Sequence, residues 1–269
     1  MLLLSHAAMT ASDWDGSTYH RVSGPQLGWG RKVLARLDLR GDETVIDAGC
    51  GSGRLTAELL DRLPGGRVIA VDASPSMLKV AARELERFGD RVELVHSDLL
   101  ALDMDRVADV IVSTATFHWV LDHPALFARL HSALRPGGRL LAQCGGDGNL
   151  DRIRGRARRL LEAEPFAPHM AGFTPPWEYA DPQTTAQRLT AAGFTEVSTG
   201  AEDALTVLDS EPAYREFLAT VIMRPYLDAL PDDRLRTRLL DAMSAEARTD
   251  DPPWSLDYRR LNMDARRPA

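Results

Sequence analysis

Apolar and polar positions follow two periods between residues 30 and 145 of the chain. Short runs rich in Val, Ile and Leu predict strands, whereas apolar residues three or four positions apart predict helices. Predicted strands lie at residues 44–48, 68–71, 92–96, 108–112 and 139–143. Predicted helices precede or follow them at residues 28–37, 54–62, 75–87 and 125–134. This alternation predicts an α/β fold, in which crossover helices connect the strands of a parallel sheet.

The pattern changes after Cys144, where Gly145-Gly146-Asp147-Gly148 predicts a flexible joint. Segments 149–180 and 211–250 are expected to form an α-helical cap over the ligand-binding end of the sheet. Further helices are predicted at residues 150–163, 181–193, 211–230 and 232–247. Runs at residues 196–200, 204–208 and 254–265 are expected to complete the sheet. The apolar start is too short for a membrane span or a signal peptide, so we expect residues 1–13 to be a disordered leader or the result of a misplaced start. One domain is expected over residues 14–269.

Composition and charge narrow the class of protein. Hydrophobic residues make up 44% and charged residues 26%, as in ordinary globular proteins. The formal net charge of −7 repels phosphate backbones, which argues against nucleic acid as a partner. Two cysteines cannot form a disulfide framework, which favours a cytoplasmic protein, and the seven histidines show no metal-ligand spacing. The histidine spacing therefore predicts no metal site, and the lack of an apolar stretch of membrane-spanning length in the sequence predicts no membrane partner.

A glycine-rich turn follows the first predicted strand and opens a helix. It reads Asp47-Ala48-Gly49-Cys50-Gly51-Ser52-Gly53 and lies where open α/β sheets bind ligands. Glycines tolerate positive φ there and let a ligand contact the backbone. Asp72 ends the second strand, where a carboxylate can accept hydrogen bonds from both ribose hydroxyls. Asp98 follows the third strand, where a carboxylate can accept from an adenine amino group, so the three acids together predict a nucleoside site.

Two details favour S-adenosylmethionine over a dinucleotide in this site. The spacing is G-x-G-x-G, so Arg54 occupies the position where a dinucleotide fingerprint carries its third glycine. Asp47 directly precedes the glycines, and its charge suits the ammonium group of S-adenosylmethionine better than a pyrophosphate. An NAD-dependent oxidoreductase and a non-catalytic cofactor-binding protein with the same fold are the alternatives.

Over about residues 30–145 these motifs resemble the class I S-adenosylmethionine-dependent methyltransferases. The resemblance implies a Rossmann-like, doubly wound sheet of seven strands, mostly parallel with an antiparallel last strand, beside the α-helical cap. More narrowly, Thr116-Phe117-His118-Trp119-Val120 is similar to the trans-aconitate and juvenile-hormone-acid methyltransferases, which methylate small carboxylic acids. Taken with the strand ends, the resemblance implies cofactor contacts at Asp47, Gly49, Cys50, Gly51, Gly53, Asp72, Ala73, Met77, Asp98, Leu99, Ser113, Thr114, Tyr19 and Trp29.

The chemistry of methyl transfer assigns roles to a second group of residues. A sulfonium donor requires that donor and acceptor be held in line and water be excluded. A carboxylate acceptor needs no base, whereas a hydroxyl or amine needs one, for which His118 is the candidate. A role for His118 in packing or hydrogen bonding within its loop is the alternative. Contacts to the acceptor are predicted at Trp119, Arg21, Phe173, Trp177, Arg224 and Tyr226.

These observations predict a small-molecule methyltransferase that acts on a carboxylate or hydroxyl oxygen, with nitrogen or carbon acceptors as the alternative. Methyltransferases of nucleobase amines carry (D/N)-P-P-(Y/F/W) after the fourth strand. This chain has Asp251-Pro252-Pro253-Trp254 far from that position, and Ser113-Thr114-Ala115-Thr116 follows strand four instead. The pattern therefore argues against a nucleobase acceptor.

Overall fold

A seven-stranded sheet runs through the centre of the computed structural model, which describes residues 16–269. The strands are β1 (Thr44–Ala48), β2 (Arg67–Asp72), β3 (Val92–His96), β4 (Ala108–Thr114), β5 (Leu134–Gly145), β6 (Thr195–Asp203) and β9 (Arg259–Arg266). Their order across the sheet is β3-β2-β1-β4-β5-β9-β6. Only β9 runs antiparallel to its neighbours, β5 and β6. The predicted sheet is therefore confirmed, and the predicted leader lies outside the described residues.

Ten α-helices occur in the described part of the chain. They are α1 (Gly16–Val22), α2 (Gly24–Ala35), α3 (Arg54–Asp61), α4 (Pro75–Glu84), α5 (His123–Ala133), α6 (Asp151–Leu161), α7 (Pro182–Ala191), α8 (Glu211–Phe217), α9 (Arg224–Asp228) and α10 (Asp233–Ala247). Five begin at a side chain that accepts a hydrogen bond from the first helical turn: Ser74, Asp122, Asp181, Ser210 and Asp232. Such caps satisfy backbone N–H groups that have no partner within the helix.

Side chains of the central strands alternate between two buried faces of the sheet. One face presents Ile46, Ile69, Ile111 and Leu140 to an apolar cluster. The opposite face presents Val45, Val68, Val110 and Leu141 to another. Helices cover both faces, as parallel sheets require. The strand order reverses between β1 and β4, which leaves a crevice at the carboxyl ends of these strands.

A third apolar cluster forms the cap, mainly from α6, α8, α9 and α10. Residues 211–230 do not form the single helix that was predicted. Helix α8 ends at Phe217, a π-type turn covers Leu218–Ile222, and α9 then starts anew. Pro225 lies in the first turn of α9, where it has no N–H with which to continue the preceding helix.

Two more predicted elements differ from the structure. Residues 204–208 do not join the main sheet, because β7 (Thr206–Val207) pairs with β8 (Ser255–Leu256) in a separate ribbon. The run at 254–265 is interrupted at Asp257, which accepts hydrogen bonds from the backbone of α6 and the residue before it. The helix predicted at 28–37 begins at Gly24, and α1 precedes it.

Candidate active site

A cavity of about 240 Å³ lies over the carboxyl ends of the strands, at the point where the strand order reverses. Turns after β1, β2, β3 and β4 form its floor, and α1, α2 and the cap form its walls. Besides tyrosines, the ionisable side chains that line it are Asp72, Asp98, His118, Arg154 and Arg260. Concave sites with a few convergent polar groups are typical of ligand binding.

The glycine-rich turn packs closely against the end of β4. A Cβ atom on Gly49, whose φ is +85°, would lie 2.1 Å from Oγ1 of Thr116. Gly51 has φ of +55°, lines the cavity, and has open space where its Cβ would be. The turn therefore offers bare backbone to a ligand. Gly53 packs against Ala81 of α4 instead, and it shapes the turn without lining the cavity.

Two acids line the cavity at neighbouring strand ends. Asp72 accepts hydrogen bonds from the backbone N–H groups of Gly51 at 2.8 Å and Ser74 at 2.9 Å, which orient its carboxylate. Burial raises the pKa of Asp72, and these hydrogen bonds oppose the rise. Asp98 accepts from Leu100 N at 2.8 Å with one oxygen. Both carboxylates keep lone pairs for hydroxyl or amino donors, so the site fits the ribose and adenine of S-adenosylmethionine.

Four other predicted cofactor contacts lie around these acids on the cavity surface: Ala73, Met77, Leu99 and Thr114. Tyr19 of α1 and Trp29 of α2 cover the same cavity. Burial raises the pKa of Tyr19 to about 12, so its hydroxyl remains a neutral donor. Helix α1 is held against α4, where Gly16 N donates to Ser76 Oγ at 3.1 Å.

Asp47 does not line the cavity, contrary to the expected contact with a ligand ammonium group. Its side chain is 3% exposed and accepts a 2.6 Å hydrogen bond from Thr56 Oγ1 of α3. Burial raises its pKa to about 6. Asp47 thus ties α3 to β1 beneath the glycine turn. Cys50 and Ser113 also lie behind the cavity wall, and Ser113 Oγ donates to a backbone carbonyl of β1.

His118 is arranged as a hydrogen-bond donor rather than a base. Its Nδ1 accepts from the backbone N–H of Gly145 at 3.3 Å, at the end of β5. Burial, followed by the charges of Arg260 and His123, lowers its pKa well below the usual value of 6.5. The ring is therefore neutral, and the proton that Nδ1 lacks must reside on Nε2. Since its basic nitrogen is occupied, the predicted role as general base is not supported by this geometry.

Arg260 is the site residue that sequence reasoning missed. Its side chain is 2% exposed, and the guanidinium lies 4.5 Å from the ring centroid of Trp29 and 5.9 Å from that of Tyr258. Burial lowers its pKa, and the groups that oppose this are Cys144, Tyr258, Tyr179 and Tyr19, none of which carries a carboxylate. Its Nε has no hydrogen-bond partner in residues 16–269. A buried cation without a carboxylate partner is costly, so this guanidinium is suited to bind an anion.

Charges of opposite sign occupy opposite sides of the cavity. Asp72 and Asp98 follow β2 and β3, on one side of the boundary between β1 and β4. Arg260 is the second residue of β9, on the other side, and Arg154 extends from α6 in the cap. The arrangement can therefore hold a nucleoside on the acidic side and an anion on the basic side, with their reacting groups meeting at the reversal of strand order.

Three of the predicted acceptor contacts lie together on the cavity wall. Trp177 makes edge contacts with Trp119, at 5.9 Å between ring centroids, and with Tyr226, at 5.6 Å. Phe173 lies 5.0 Å from Tyr226 but lines a second pocket outside the cavity. This aromatic wall can exclude water from a bound acceptor.

The two predicted acceptor arginines lie elsewhere. Arg21 is exposed and pairs with Glu216. Arg224 pairs with Asp228 at 2.8 Å, one turn along α9. Exposed arginines meet acids at the surface in this way, whereas an anion site needs a guanidinium that faces a cavity. Arg21 and Arg224 therefore do not line the cavity, contrary to the expected contacts with the acceptor.

Between residues 16 and 269, no group of three or more His, Cys, Asp or Glu residues could hold a metal ion. No helix in that range is both long and apolar enough to cross a membrane.

Comparison with known proteins gives a consistent set of relatives. Residues 45–138 match a family model described as a methyltransferase domain. The chain is 33% identical over 257 residues to trans-aconitate 2-methyltransferase of Azoarcus sp. (strain BH72), which covers 92% of this chain and 94% of that protein. It is 31% identical over 273 residues to the Streptomyces coelicolor protein of the same name, covering 96% of this chain and 88% of the relative.

Solved structures agree in fold. Phosphoethanolamine N-methyltransferase 2 of Haemonchus contortus, solved with S-adenosyl-L-methionine, superposes with a TM-score of 0.61 at 18% identity, over 94% of this chain and 57% of that chain. A putative methyltransferase of Bacillus halodurans superposes with a TM-score of 0.61 at 16% identity, over 89% of this chain and 99% of that chain.

Proposed function

The chain belongs to the S-adenosylmethionine-dependent methyltransferases, in the family that includes the trans-aconitate 2-methyltransferases, and from this premise we propose that its acceptor is a carboxylate of trans-aconitate or a similar polycarboxylic acid. The observation that carries this proposal is buried Arg260, a cation with no acidic partner within the described residues. A guanidinium in such a place needs an anion, and its planar fork suits a carboxylate. The names of the curated relatives support the same class of acceptor.

When bound, S-adenosylmethionine supplies an electrophilic methyl group on its sulfonium. The glycine turn would contact it through bare backbone, Asp72 would accept from the ribose hydroxyls, and Asp98 would accept from the adenine amino group. The acceptor acid would bind on the side of the cavity that carries Arg260 and Arg154. Charge separation across the site thus sets donor and acceptor face to face, as in-line transfer requires.

Transfer to a carboxylate needs no proton to be removed. A carboxylate oxygen forms a bond to the methyl carbon while the carbon–sulfur bond breaks and its electron pair passes to sulfur. The products are a methyl ester and S-adenosylhomocysteine. His118 can donate from Nε2 to the reacting carboxylate and orient it, in agreement with its neutral ring. Trp119 and Trp177 can exclude water, which leaves the carboxylate less hydrated and more nucleophilic.

The test is methyl transfer by the purified chain to a panel of acceptors. We expect S-adenosylhomocysteine to form with trans-aconitate, cis-aconitate or citrate, and the product to be an ester that mild alkali hydrolyses. Phosphoethanolamine provides an amine acceptor for comparison. Mass spectrometry before and after alkali identifies the acceptor atom. A base-stable methylated product, or turnover with the amine alone, would refute the proposal.

We expect kcat with trans-aconitate to stay constant between about pH 7 and 9. Because burial lowers the pKa of His118 below its usual value, the ring is already neutral at the start of this range and cannot lose a further proton within it. A carboxylate acceptor has no proton to lose. Initial rates at saturating concentrations of both substrates measure the profile. A tenfold rise with pH would indicate instead that a base activates the acceptor.

A further inference from the structure

Arg154 stands between the cavity and a second pocket that opens beside the cap. It lines both, and so does Tyr226. The outer pocket is otherwise formed by α6 and by the segment after it, including Arg158 and Phe173. A ligand that extends out of the inner cavity on this side would therefore meet Arg154 first.

Within the described residues, Arg154 donates hydrogen bonds from one guanidinium nitrogen, which leaves most of its donors available. Nη1 donates to Asp151 Oδ1 at 3.1 Å and to Asn149 O at 3.4 Å. The side chain of Asp151 is 68% exposed, and ion pairs of this kind contribute little. Nε and Nη2 make no hydrogen bond to any residue between 16 and 269. Arg154 can therefore exchange an exposed partner for a bound anion.

Tyr179 lies near both arginines of the cavity. The guanidinium of Arg154 lies 5.1 Å from its ring centroid, and the ring of His118 lies 5.6 Å from it on the inner side. Burial raises the pKa of Tyr179 to about 12, and both Arg154 and Arg260 oppose the rise, so both cations lie near one side chain. Arg154, Arg260 and His118 therefore all lie near Tyr179 on the lining of the cavity.

We propose that Arg154 forms a second anion subsite, which binds a carboxylate of the acceptor that does not react. The inference rests on the proposed function and extends it to the way in which a polycarboxylic acid is held. A carboxylate that pairs with a guanidinium is a weaker nucleophile. The carboxylate that accepts the methyl group should therefore be one that pairs with neither arginine. Arg260 and Arg154 would then each hold one carboxylate, and a third would face the methyl group beside His118.

Arg154→Met tests this subsite, with Arg159→Met as the matched control from the same helix, since Arg159 is exposed, pairs with Glu246 and lines neither pocket. We expect R154M to raise KM for trans-aconitate by about 10- to 100-fold, the effect of losing a charge-assisted hydrogen bond, with kcat changed less than about threefold. R154K should recover part of the loss, and R159M should match the wild type. The affinity of R154M for S-adenosylhomocysteine should be unchanged.

The possible failures are distinguishable. Absence of turnover by the wild-type protein with every acid of the panel would refute the proposed function itself. Normal wild-type turnover, together with a KM of R154M within threefold of the wild type, would refute only the subsite. Equal losses of S-adenosylhomocysteine affinity and of trans-aconitate affinity in R154M would assign Arg154 a structural role and would overturn the inference as well.

Discussion

Arg260→Met is expected to lower kcat/KM for trans-aconitate by about 100- to 1,000-fold, because removal of one partner from a buried charge pair has an effect of this size. Methionine keeps an unbranched, flexible apolar stem that can pack on the ring of Trp29, so the substitution removes the charge without adding bulk to the cavity. Affinity for S-adenosylhomocysteine should remain within about threefold of the wild type, since the acids that face the nucleoside lie on the other side of the strand reversal. Steady-state kinetics and calorimetry measure the two quantities.

Arg259 provides the matched control one position earlier in β9. It is exposed and pairs with Asp203 at 3.8 Å across the surface of the sheet. Arg259→Met should leave kcat/KM within about threefold of the wild type, as exposed ion pairs contribute little. Equal effects of the two substitutions would show that the acceptor responds to net charge rather than to the buried guanidinium.

Stability gives an independent measurement on the same variant. A guanidinium buried without an acid is unfavourable for folding, and its replacement by an apolar side chain of similar size is often neutral or stabilising. We therefore expect R260M to unfold at the same temperature as the wild type or higher, although it loses activity. A large fall in Tm, with loss of S-adenosylhomocysteine binding, would instead identify Arg260 as a structural residue.

The sheet could be predicted from the chain because its signals are local. The bounds of β1 and β3 coincide with the predicted residues 44–48 and 92–96, where buried β1 is a short apolar run and the edge strand β3 alternates between apolar and polar residues. In the cap, the elements depend on contacts between distant residues. Asp257 interrupts the last predicted strand because its backbone and side chain bind the start of α6, more than 100 residues earlier. Periodicity carries no information about such a contact.

The residues of the site also divide into those with a local sequence signal and those that are placed by contacts between distant residues. Asp72 and Asp98 could be placed because each directly follows a strand of the parallel sheet. Arg260 was missed because its position depends on β9, which is antiparallel and therefore begins where the parallel strands end. An arginine at the start of such a strand is a usable signal, since it reaches the ligand-binding end. A ligand contact was expected for Asp47 because it directly precedes the glycines in the sequence. That position does not show that Thr56 donates a hydrogen bond to its carboxylate under the turn.

Asp72→Ala is expected to weaken the binding of S-adenosylhomocysteine by at least about 100-fold, since two charge-assisted hydrogen bonds to ribose hydroxyls would be lost. Asp61→Ala is the control, because Asp61 lies on the surface, where it pairs with Arg87 at 2.9 Å. Calorimetric titration with S-adenosylhomocysteine, and with NADH in parallel, measures the effect. Unchanged affinity in D72A would refute the assignment of the ribose site, and binding of NADH by the wild type would favour the oxidoreductase alternative.

Asp72→Asn separates the two tasks of this carboxylate. In the protein, its two oxygens accept from Gly51 N and Ser74 N, and an asparagine carbonyl can replace only one of these acceptors. Its amide also lacks the charge that strengthens hydrogen bonds from ribose. D72N should therefore bind S-adenosylhomocysteine more tightly than D72A but more weakly than the wild type.

The affinity of the wild type for S-adenosylhomocysteine should fall when Asp72 becomes protonated. Because burial raises the pKa of Asp72, this loss should begin at a higher pH than it would for an ordinary aspartate. D72N cannot titrate there, so its affinity should stay constant over the same range, and a parallel decline in both proteins would mean that another group is responsible.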